Sequence, residues 1–147
     1  MTSANIIIRQ PSLDELTKVR TLRHEELQGD RPIATPLEPT TDDLKPSAIH
    51  IVAFDGDKVV SAVRADPNPN DSSVYCVSRM VTEVNYRKQG IGTQVLKGVE
   101  TEAIMRGAKG IVLFARVTAL GFYEQAGYWN TQIVKDDNYV MVKQVQK

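Results

Sequence analysis

The chain has 147 residues of ordinary soluble composition, so we expect residues 1–147 to form one domain with a substantial core. Lysine and arginine together number 18, as do aspartate and glutamate, and this balance argues against nucleic acid or an anionic membrane as a partner. The single cysteine, Cys76, excludes an intramolecular disulfide and a cysteine metal pair, and its apolar neighbours favour a small buried side chain over a nucleophile.

The start of the chain predicts a soluble, cytoplasmic protein that begins with a strand and a helix. It has no basic region followed by an apolar core, and no apolar run is long enough to cross a bilayer. Residues 5–9 are β-branched and predict a strand. Residues 12–15 have the form of a capping box for a helix from about Leu13 to Leu27, which Gly29 ends. This helix places four apolar residues roughly on one side: Leu13, Leu16, Val19 and Leu27.

The segment from Gly29 to Ser47 is poor helix or strand material, because it contains four prolines. A loop of this length in a small domain is usually disordered or functional, and we favour a wall beside a substrate site. His24, on the preceding helix, has no partner in the sequence that marks it as a ligand or a base. An ordinary surface histidine is therefore the favoured interpretation.

The remaining chain alternates between strands and two further helices. A strand, a helix and a second strand with short connections predict a right-handed crossover and parallel pairing. The predicted segments are a hairpin of residues 50–54 and 58–65, a turn at 66–71, a strand at 74–83, a helix with Ile91, Val95, Leu96, Val99 and Ala103 on its apolar face, a buried strand at 111–114, a short helix at 119–125, and a hairpin of 128–134 and 138–142. The predicted order is β-α-β-β-β-α-β-α-β-β.

The turn between the long strand and the amphipathic helix has two unusual features. Arg87 and Lys88 lie where the helix begins, and cations at that end oppose the helix dipole. Gly90 and Gly92 remove side chains from a place where main-chain N–H groups point outward without partners. An anion bound on the turn accounts for both features. An ordinary strand-to-helix turn with surface charges is the alternative.

Two motifs make the chain similar to the GCN5-related N-acetyltransferases, the GNAT superfamily, and in particular to a bacterial subgroup of it. The first, Arg87-Lys88-Gln89-Gly90-Ile91-Gly92, resembles the family signature Q/R-x-x-G-x-G/A. The second runs from Ala119 to Tyr128 and resembles the A-x-x-F-Y-x-x-x-G-F/Y segment after the fifth strand. The resemblance implies an α/β (α+β) GNAT fold, whose mixed sheet is splayed between strands 4 and 5. Relatives open this gap with a β-bulge, which the sequence does not identify here.

The resemblance also implies acetyl-CoA as cosubstrate, with no metal. Its pyrophosphate would lie on the main-chain amides of residues 88–93, with added charge from Arg87 and Lys88, and its pantetheine arm would pair with strand 4. Many relatives have an asparagine where this chain has Arg116. The implied cofactor-binding residues are Met80, Val81, Thr82, Arg87, Lys88, Gln89, Gly90, Ile91, Gly92, Thr93, Arg116 and Phe122.

The implied chemistry is direct attack of an amine on the thioester. Tyr123 matches the family's general acid for the departing thiolate; without the motif, a core aromatic beside Phe122 is the simpler interpretation. An amide near Val81 would stabilise the oxyanion. Glu83 is a candidate base or a solvated charge at the end of a strand, and water-mediated deprotonation is the default. Weaker candidates for substrate contact are Arg79, His24 and Tyr139.

The sequence leaves the acceptor and some alternatives open. The acceptor is expected to be a small-molecule amine or an exposed amine of a protein or peptide, and a homodimer is possible because many relatives are dimers. One alternative is a catalytically silent acyl-CoA-binding sensor or regulatory domain. A nucleotide-binding protein is the other, but no G-K-[ST] follows the turn and no third glycine lies three residues beyond Gly92.

Overall fold

The computed structural model describes residues 5–27 and 41–145, and its elements follow the predicted order. The strands are β1 (Ile6–Arg9), β2 (Ile49–Asp55), β3 (Lys58–Asn68), β4 (Asp71–Thr82), β5 (Gly110–Ala115), β6 (Trp129–Lys135) and β7 (Asn138–Gln144). The α-helices are α1 (Glu15–Leu27), α2 (Ile91–Met105) and α3 (Leu120–Gln125), with single 3-10 turns at Val84–Tyr86 and Val117–Ala119. Within this part of the chain, no helix has the length and apolar character needed to cross a membrane. Gly29 and most of the predicted proline-rich loop lie outside the described residues.

One mixed sheet joins the strands in the order β1-β2-β3-β4-β5-β7-β6. Neighbouring strands are antiparallel except β4 and β5, which are parallel. The chain passes from β4 to β5 through α2, and a crossover of this kind produces parallel neighbours. The predicted mixed α/β fold class is therefore confirmed.

The parallel pair β4–β5 separates soon after it forms. Three residues of β4 pair with three of β5, from Val74 opposite Gly110 to Cys76 opposite Val112. Beyond these pairs β4 runs on to Thr82 and β5 to Ala115 without a register between them. The sheet is thus splayed between its fourth and fifth strands, as the family resemblance implies.

A β-bulge lies in β4 at the start of this separation. Ala62 of β3 is opposite Val81, whereas Arg64 is opposite Ser78, so β4 has one more residue than β3 across this interval. Arg79, inside the interval, has a φ of +56°. Left-handed backbone of this kind is uncommon for a residue other than glycine. The bulge bends β4 where it leaves β5.

The predicted turn at residues 66–71 is wrong in extent. β3 continues to Asn68, and β4 begins at Asp71. A register shift lies between Pro67, which is opposite Tyr75, and Asn68, which is opposite Asp71. Such an irregularity accommodates a proline inside a sheet, because proline has no N–H to give to the ladder.

Helix α2 packs with its predicted apolar face on β2 and β3. All five residues predicted for this face, Ile91, Val95, Leu96, Val99 and Ala103, are at most 3% exposed. The helical spacing of the apolar residues was therefore enough to identify the buried face.

Helix α1 covers the other face of the sheet through a partly different set of residues. The capping box is confirmed, because the Ser12 N–H donates to Glu15 Oε1 at 2.8 Å and the Glu15 N–H donates to Ser12 Oγ at 3.3 Å. Leu13 precedes the helix and is 68% exposed, so its predicted place on the apolar face is wrong. Leu22 is buried instead and packs, with Val19, in a cluster that includes Val81. The side chain of Leu27 lies outside the described set.

A buried carboxylate links α2 to the C-terminal part of the sheet. Glu100, in the middle of α2, is 7% exposed. Its Oε2 accepts a hydrogen bond from the Tyr128 hydroxyl at 2.8 Å, and its Oε1 lies 3.0 Å from Lys143 Nζ. Lys143 Nζ also donates to the Ala126 carbonyl at 2.8 Å. Burial, and then the charge of Glu100, raise the pKa of Tyr128, so this phenol stays a hydrogen-bond donor at ordinary pH.

We predict that Tyr128→Phe lowers the free energy of unfolding by about 1.5–3 kcal/mol, the range for a hydrogen bond to a charged group. The substitution leaves Lys143 as the remaining side-chain partner of the Glu100 carboxylate among the described residues. Urea unfolding followed by fluorescence measures the change. Tyr75→Phe is the matched control, because Tyr75 is similarly buried (6% exposed against 3% for Tyr128) and its hydroxyl makes no hydrogen bond to a described residue. Equal effects of the two substitutions would contradict the prediction.

Candidate active site

A cleft of about 610 Å³, which we call the large cleft, lies beside the end of β4 that does not pair with β5. Its walls are the end of β4, the turn before α2, the segment before α3, and α3 itself. The structure gathers ten of the twelve predicted cofactor residues around this cleft: Met80, Val81, Thr82, Arg87, Lys88, Gly90, Gly92, Thr93, Arg116 and Phe122. The other two do not line it: Ile91 is in the core, and Gln89 turns its amide toward the Asn85 carbonyl at 3.3 Å.

The turn before α2 exposes the N-terminus of a 15-residue helix to the large cleft. Gly90 is the N-cap with a φ of +80°, and no side chain caps the helix. No atom lies within 4 Å of the place where a Cβ on Gly90 would be, so the approach to the helix end is open. The first N–H groups of a helix have no partner inside it and carry the positive end of the helix dipole. The turn therefore has the geometry of an anion site.

The two cations of the turn have different surroundings. Arg87 is bound on both sides, with Nε donating to the Thr82 carbonyl at 2.9 Å and Nη2 lying 2.7 Å from Glu26 Oε1. These contacts tie the turn to the end of α1. Lys88, at a φ of +64°, is exposed and makes no ion pair within residues 5–27 and 41–145. Lys88 is thus the cation of the turn that has its charge available to a ligand.

Gly92 lets β4, α2 and α3 approach one another at the bottom of the cleft. A Cβ there would lie 3.4 Å from Met80 Cε and from Thr82 Oγ1, and 3.6 Å from Phe122 Cζ. These are ordinary contact distances, so a methyl group fits but a larger side chain does not. This packing explains why the site needs a small residue at this position.

Tyr123 lies in α3 at the inner end of the large cleft and is 8% exposed. Edge-on aromatic contacts hold its ring, with centroids 5.1 Å from Phe122 and 5.8 Å from Tyr128. Burial raises the pKa of Tyr123 to about 12, so its hydroxyl is neutral over the working range of pH. This hydroxyl has no hydrogen-bond partner among the described residues and is available to a ligand.

A second cleft of about 350 Å³, which we call the small cleft, lies between β4 and β5 and also has Tyr123 in its lining. It is bordered by Val77 to Met80 of β4 and by Leu113 to Arg116 after the paired part of β5. Five residues line both clefts: Met80, Arg116, Thr118, Ala119 and Tyr123. Tyr123 therefore lies where two separate approaches to the gap between the strands meet.

Three other candidates from the sequence are not among the residues that line the two clefts. The Glu83 carboxylate accepts a hydrogen bond from Asn85 Nδ2 at 3.1 Å, lies 3.6 Å from Lys58 Nζ, and lines a third depression between α1 and the β2–β3 turn. Tyr139 is opposite Ala115 in the β5–β7 register, and neither it nor His24 is among the residues that line the two clefts.

Sequence reasoning missed four residues that line the large cleft. Ala119 belongs to the second motif and Thr118 precedes it, so the motif held a signal for both. Tyr86 lies in the stretch before the turn. Glu26 had no signal, because its position depends on its ion pair with Arg87 across 61 residues of chain. The described residues form no group of three or more metal-ligating side chains, and we identify no metal site among them.

Comparison with known proteins identifies the family. The sequence profile of the Acetyltransferase (GNAT) family matches residues 16–128, which is more than half of the chain. The chain belongs to the GNAT family. This result confirms the resemblance carried by the two motifs.

Individual relatives agree with this assignment. The chain is 32% identical over 93 residues to Uncharacterized N-acetyltransferase YjcF of Bacillus subtilis, a match that covers 63% of this chain and 64% of that protein. A putative N-acetyltransferase from Lactobacillus plantarum has a TM-score of 0.73 at 26% identity, over 95% of this chain and 97% of that one. The PaiA N-acetyltransferase of Thermoplasma acidophilum, in complex with coenzyme A, has a TM-score of 0.79 at 14% identity, over 98% of this chain and 99% of that one, and so shares the fold.

We predict that Gly90→Ala lowers the free energy of unfolding by about 1–2 kcal/mol, because a Cβ is strained in left-handed backbone. The space around Gly90 is open, so the cost is one of backbone conformation and not of collision. Gly92→Ala is the control: its φ is not in the left-handed region, and alanine favours a helix. Urea unfolding of both variants measures the difference. A loss as large for Gly92→Ala as for Gly90→Ala would rule out the conformational explanation.

Proposed function

We propose that this protein transfers an acetyl group from acetyl-CoA to an amine by direct attack, with Tyr123 as the general acid. The observation that carries this proposal is the position of Tyr123. Tyr123 lines both the cleft that contains the helix N-terminus and the small cleft, and its neutral hydroxyl has no partner among the described residues. A donor and an acceptor that enter separately would meet at this residue.

The large cleft fits acetyl-CoA. We place the pyrophosphate on the amides at the start of α2, where the dipole and Lys88 both favour an anion. The pantetheine arm lies along Met80 to Thr82, because this part of β4 has no strand partner on the side of β5. An extended group with amides can take the hydrogen bonds that such a free strand edge offers. Phe122 and Gly92 form the floor beneath it.

The reaction forms one C–N bond and breaks one C–S bond. The lone pair of the neutral amine attacks the thioester carbonyl carbon, and the oxyanion that develops is stabilised by a main-chain N–H near Val81. When the C–S bond breaks, the thiolate takes the proton of the Tyr123 hydroxyl, and the nitrogen loses a proton to solvent. Because burial raises the pKa of Tyr123 to about 12, the phenol keeps its proton over the working range of pH and is present as a donor when the thiolate develops; the tyrosinate then regains a proton from solvent.

The proton acceptor for the amine is proposed to be water. The carboxylate of Glu83 is engaged with Lys58 and Asn85 and lies outside the lining of both clefts. Its role as a base therefore stays a prediction that the contacts do not favour. The acceptor, the oligomeric state and the cellular compartment also stay predictions.

We expect Tyr123→Phe to lower kcat by about a hundredfold or more, the usual range for loss of a general acid, and to leave the Kd for acetyl-CoA nearly unchanged. The ring and its contacts with Phe122 and Tyr128 are kept, so the change is confined to the hydroxyl. Release of free thiol in the presence of an amine panel measures kcat, and calorimetric titration measures Kd. Tyr75→Phe, in the core, serves as the control with unchanged kcat.

Unaltered turnover in Tyr123→Phe would remove this residue from the mechanism. Tight acetyl-CoA binding without acetylation of any amine would instead favour the silent acyl-CoA-binding domain. Binding of a nucleotide such as ATP in place of acetyl-CoA would overturn both.

The pH profile provides an independent test. An unperturbed tyrosine loses its proton near about pH 10. Burial moves the pKa of Tyr123 upward, so the acid form persists and kcat/KM is expected to show no fall as the pH rises to about 10. The profile should rise toward alkaline pH while the acceptor amine becomes neutral. A descending limb centred between about pH 8 and 9 would show that some other group is the acid.

A further inference from the structure

The small cleft contains cationic groups and no acidic one. It is lined by eleven residues of the described chain, of which two are charged, Arg79 and Arg116. Neither arginine side chain makes an ion pair or a hydrogen bond with another described residue. An ammonium group entering this cleft would meet two guanidinium groups and no carboxylate.

The backbone of β4 holds Arg79 in this position. The bulge gives Arg79 its left-handed conformation, and the residue is exposed on the wall of the small cleft. A bulge redirects the side chain of the extra residue away from the regular alternation of a strand. The fold thus accepts a strained backbone at a position where a long cationic side chain reaches the cleft.

The nearby aspartates do not neutralise the positive charge of Arg79, because they pair with other arginines. Arg23, which is 6% exposed, lies 2.9 Å from Asp43 Oδ1, and Arg64 Nη1 shares the same oxygen at 2.8 Å. Arg64 Nε also lies 2.9 Å from Asp66 Oδ2. This cluster therefore contains three arginines and two aspartates. Both aspartates pair with Arg23 or Arg64 and not with Arg79. Burial lowers the pKa of Arg23, and Asp43 opposes this effect. The positive charges of Arg64 and Arg79 lower the pKa of Arg23 further, so Arg79 belongs to the same cluster of charges.

Two atoms of this cluster also lack partners. Arg23 Nε and Nη2 are buried and have no hydrogen-bond acceptor among residues 5–27 and 41–145. Arg23 does not line the small cleft, so these donors add positive charge near Arg79 but do not contact a ligand in the cleft.

We propose that the acceptor is a small amine that also carries a carboxylate, and that Arg79 and Arg116 bind this carboxylate in the small cleft. This inference rests on the proposed function. A guanidinium forms paired hydrogen bonds with a planar carboxylate. The exposed ring of Phe114 (43% exposed) adds an apolar wall, and the cleft has room for a small molecule. Polycationic acceptors such as diamines are disfavoured by the same two charges.

The same two arginines favour deprotonation of the acceptor without a base from the protein. A nearby cation disfavours the charged form of an ammonium group and lowers its pKa. The acceptor therefore enters as a zwitterion, its carboxylate is held, and its ammonium loses a proton to solvent more readily than it would in water. No carboxylate of the small cleft is required for this step.

The test compares acceptors that differ only in the carboxylate. Full-length protein with saturating acetyl-CoA is assayed with a set of amino acids, with the carboxamide of each, and with putrescine. We expect kcat/KM for the acids to exceed that for their amides by roughly ten- to hundredfold, the value of one charge-assisted hydrogen bond. Carboxamides have more free amine at a given pH, so amine basicity alone would produce the opposite order.

Variants at Arg79 test whether the preference for acids over carboxamides comes from the small cleft. Arg79→Asn removes the charge with a residue that tolerates left-handed backbone, and we expect the acid-to-amide ratio to fall toward one with unchanged acetyl-CoA affinity. Arg79→Asp should favour putrescine over the acids, and Arg79→Lys should keep part of the preference. Arg106→Asn, which removes an exposed cation at the far end of α2, is the control that keeps the wild-type ratio.

The outcomes separate this inference from the proposed function. Acetylation of amides or putrescine as efficiently as acids would overturn the inference and leave the proposed function intact. If no amine is acetylated, the proposed function fails, and calorimetric titration of the complex with coenzyme A still measures acid against amide binding. Tenfold tighter binding of acids that is lost in Arg79→Asn would support the carboxylate site. Equal binding, or no binding of any acid, would overturn it.

Discussion

The short parallel pairing of β4 and β5 is the constraint on which the rest of the site depends. After three paired residues the strands have no ladder to share, and the backbone groups at their facing edges are left for something other than the sheet. The separation also allows α3 to bring Tyr123 between the strands. Had the ladder continued to the end of β5, neither cleft would exist. The candidate active site thus lies where the sheet lacks pairing between these two strands.

Electrostatics in the site are local, as the balanced composition of the chain requires. At the turn, the N-terminus of α2 and Lys88 provide positive charge for an anion. Arg87 instead contacts the Thr82 carbonyl and Glu26 of α1. Tyr123 is neutral because it is buried, and the small cleft is positive because the two charged residues that line it are both arginines. The three proposed uses of charge, namely anion binding, proton donation and acceptor selection, thus rest on different residues.

The features that depend on short-range patterns were predictable from the sequence. The buried face of α2, the capping box of α1, the type of each element and each of the two motifs follow from residues close together in the chain. Features set by partners distant in the chain were not. The ion pair of Arg87 with Glu26 and the burial of Leu22 in place of Leu13 depend on how α1 lies on the sheet. The bulge was not predictable because arginine has no preference for left-handed backbone, so Arg79 carries no local mark of its conformation.

Glu100 has a geometric consequence beyond stability. Its carboxylate joins the helix that starts at the phosphate-type turn to Tyr128, five residues after Tyr123, and to Lys143 of β7. Glu100 therefore connects the helix that begins on one side of the large cleft to the chain that follows the helix on the other side. Loss of this carboxylate would free both walls of the cleft at once, although Glu100 itself does not line it.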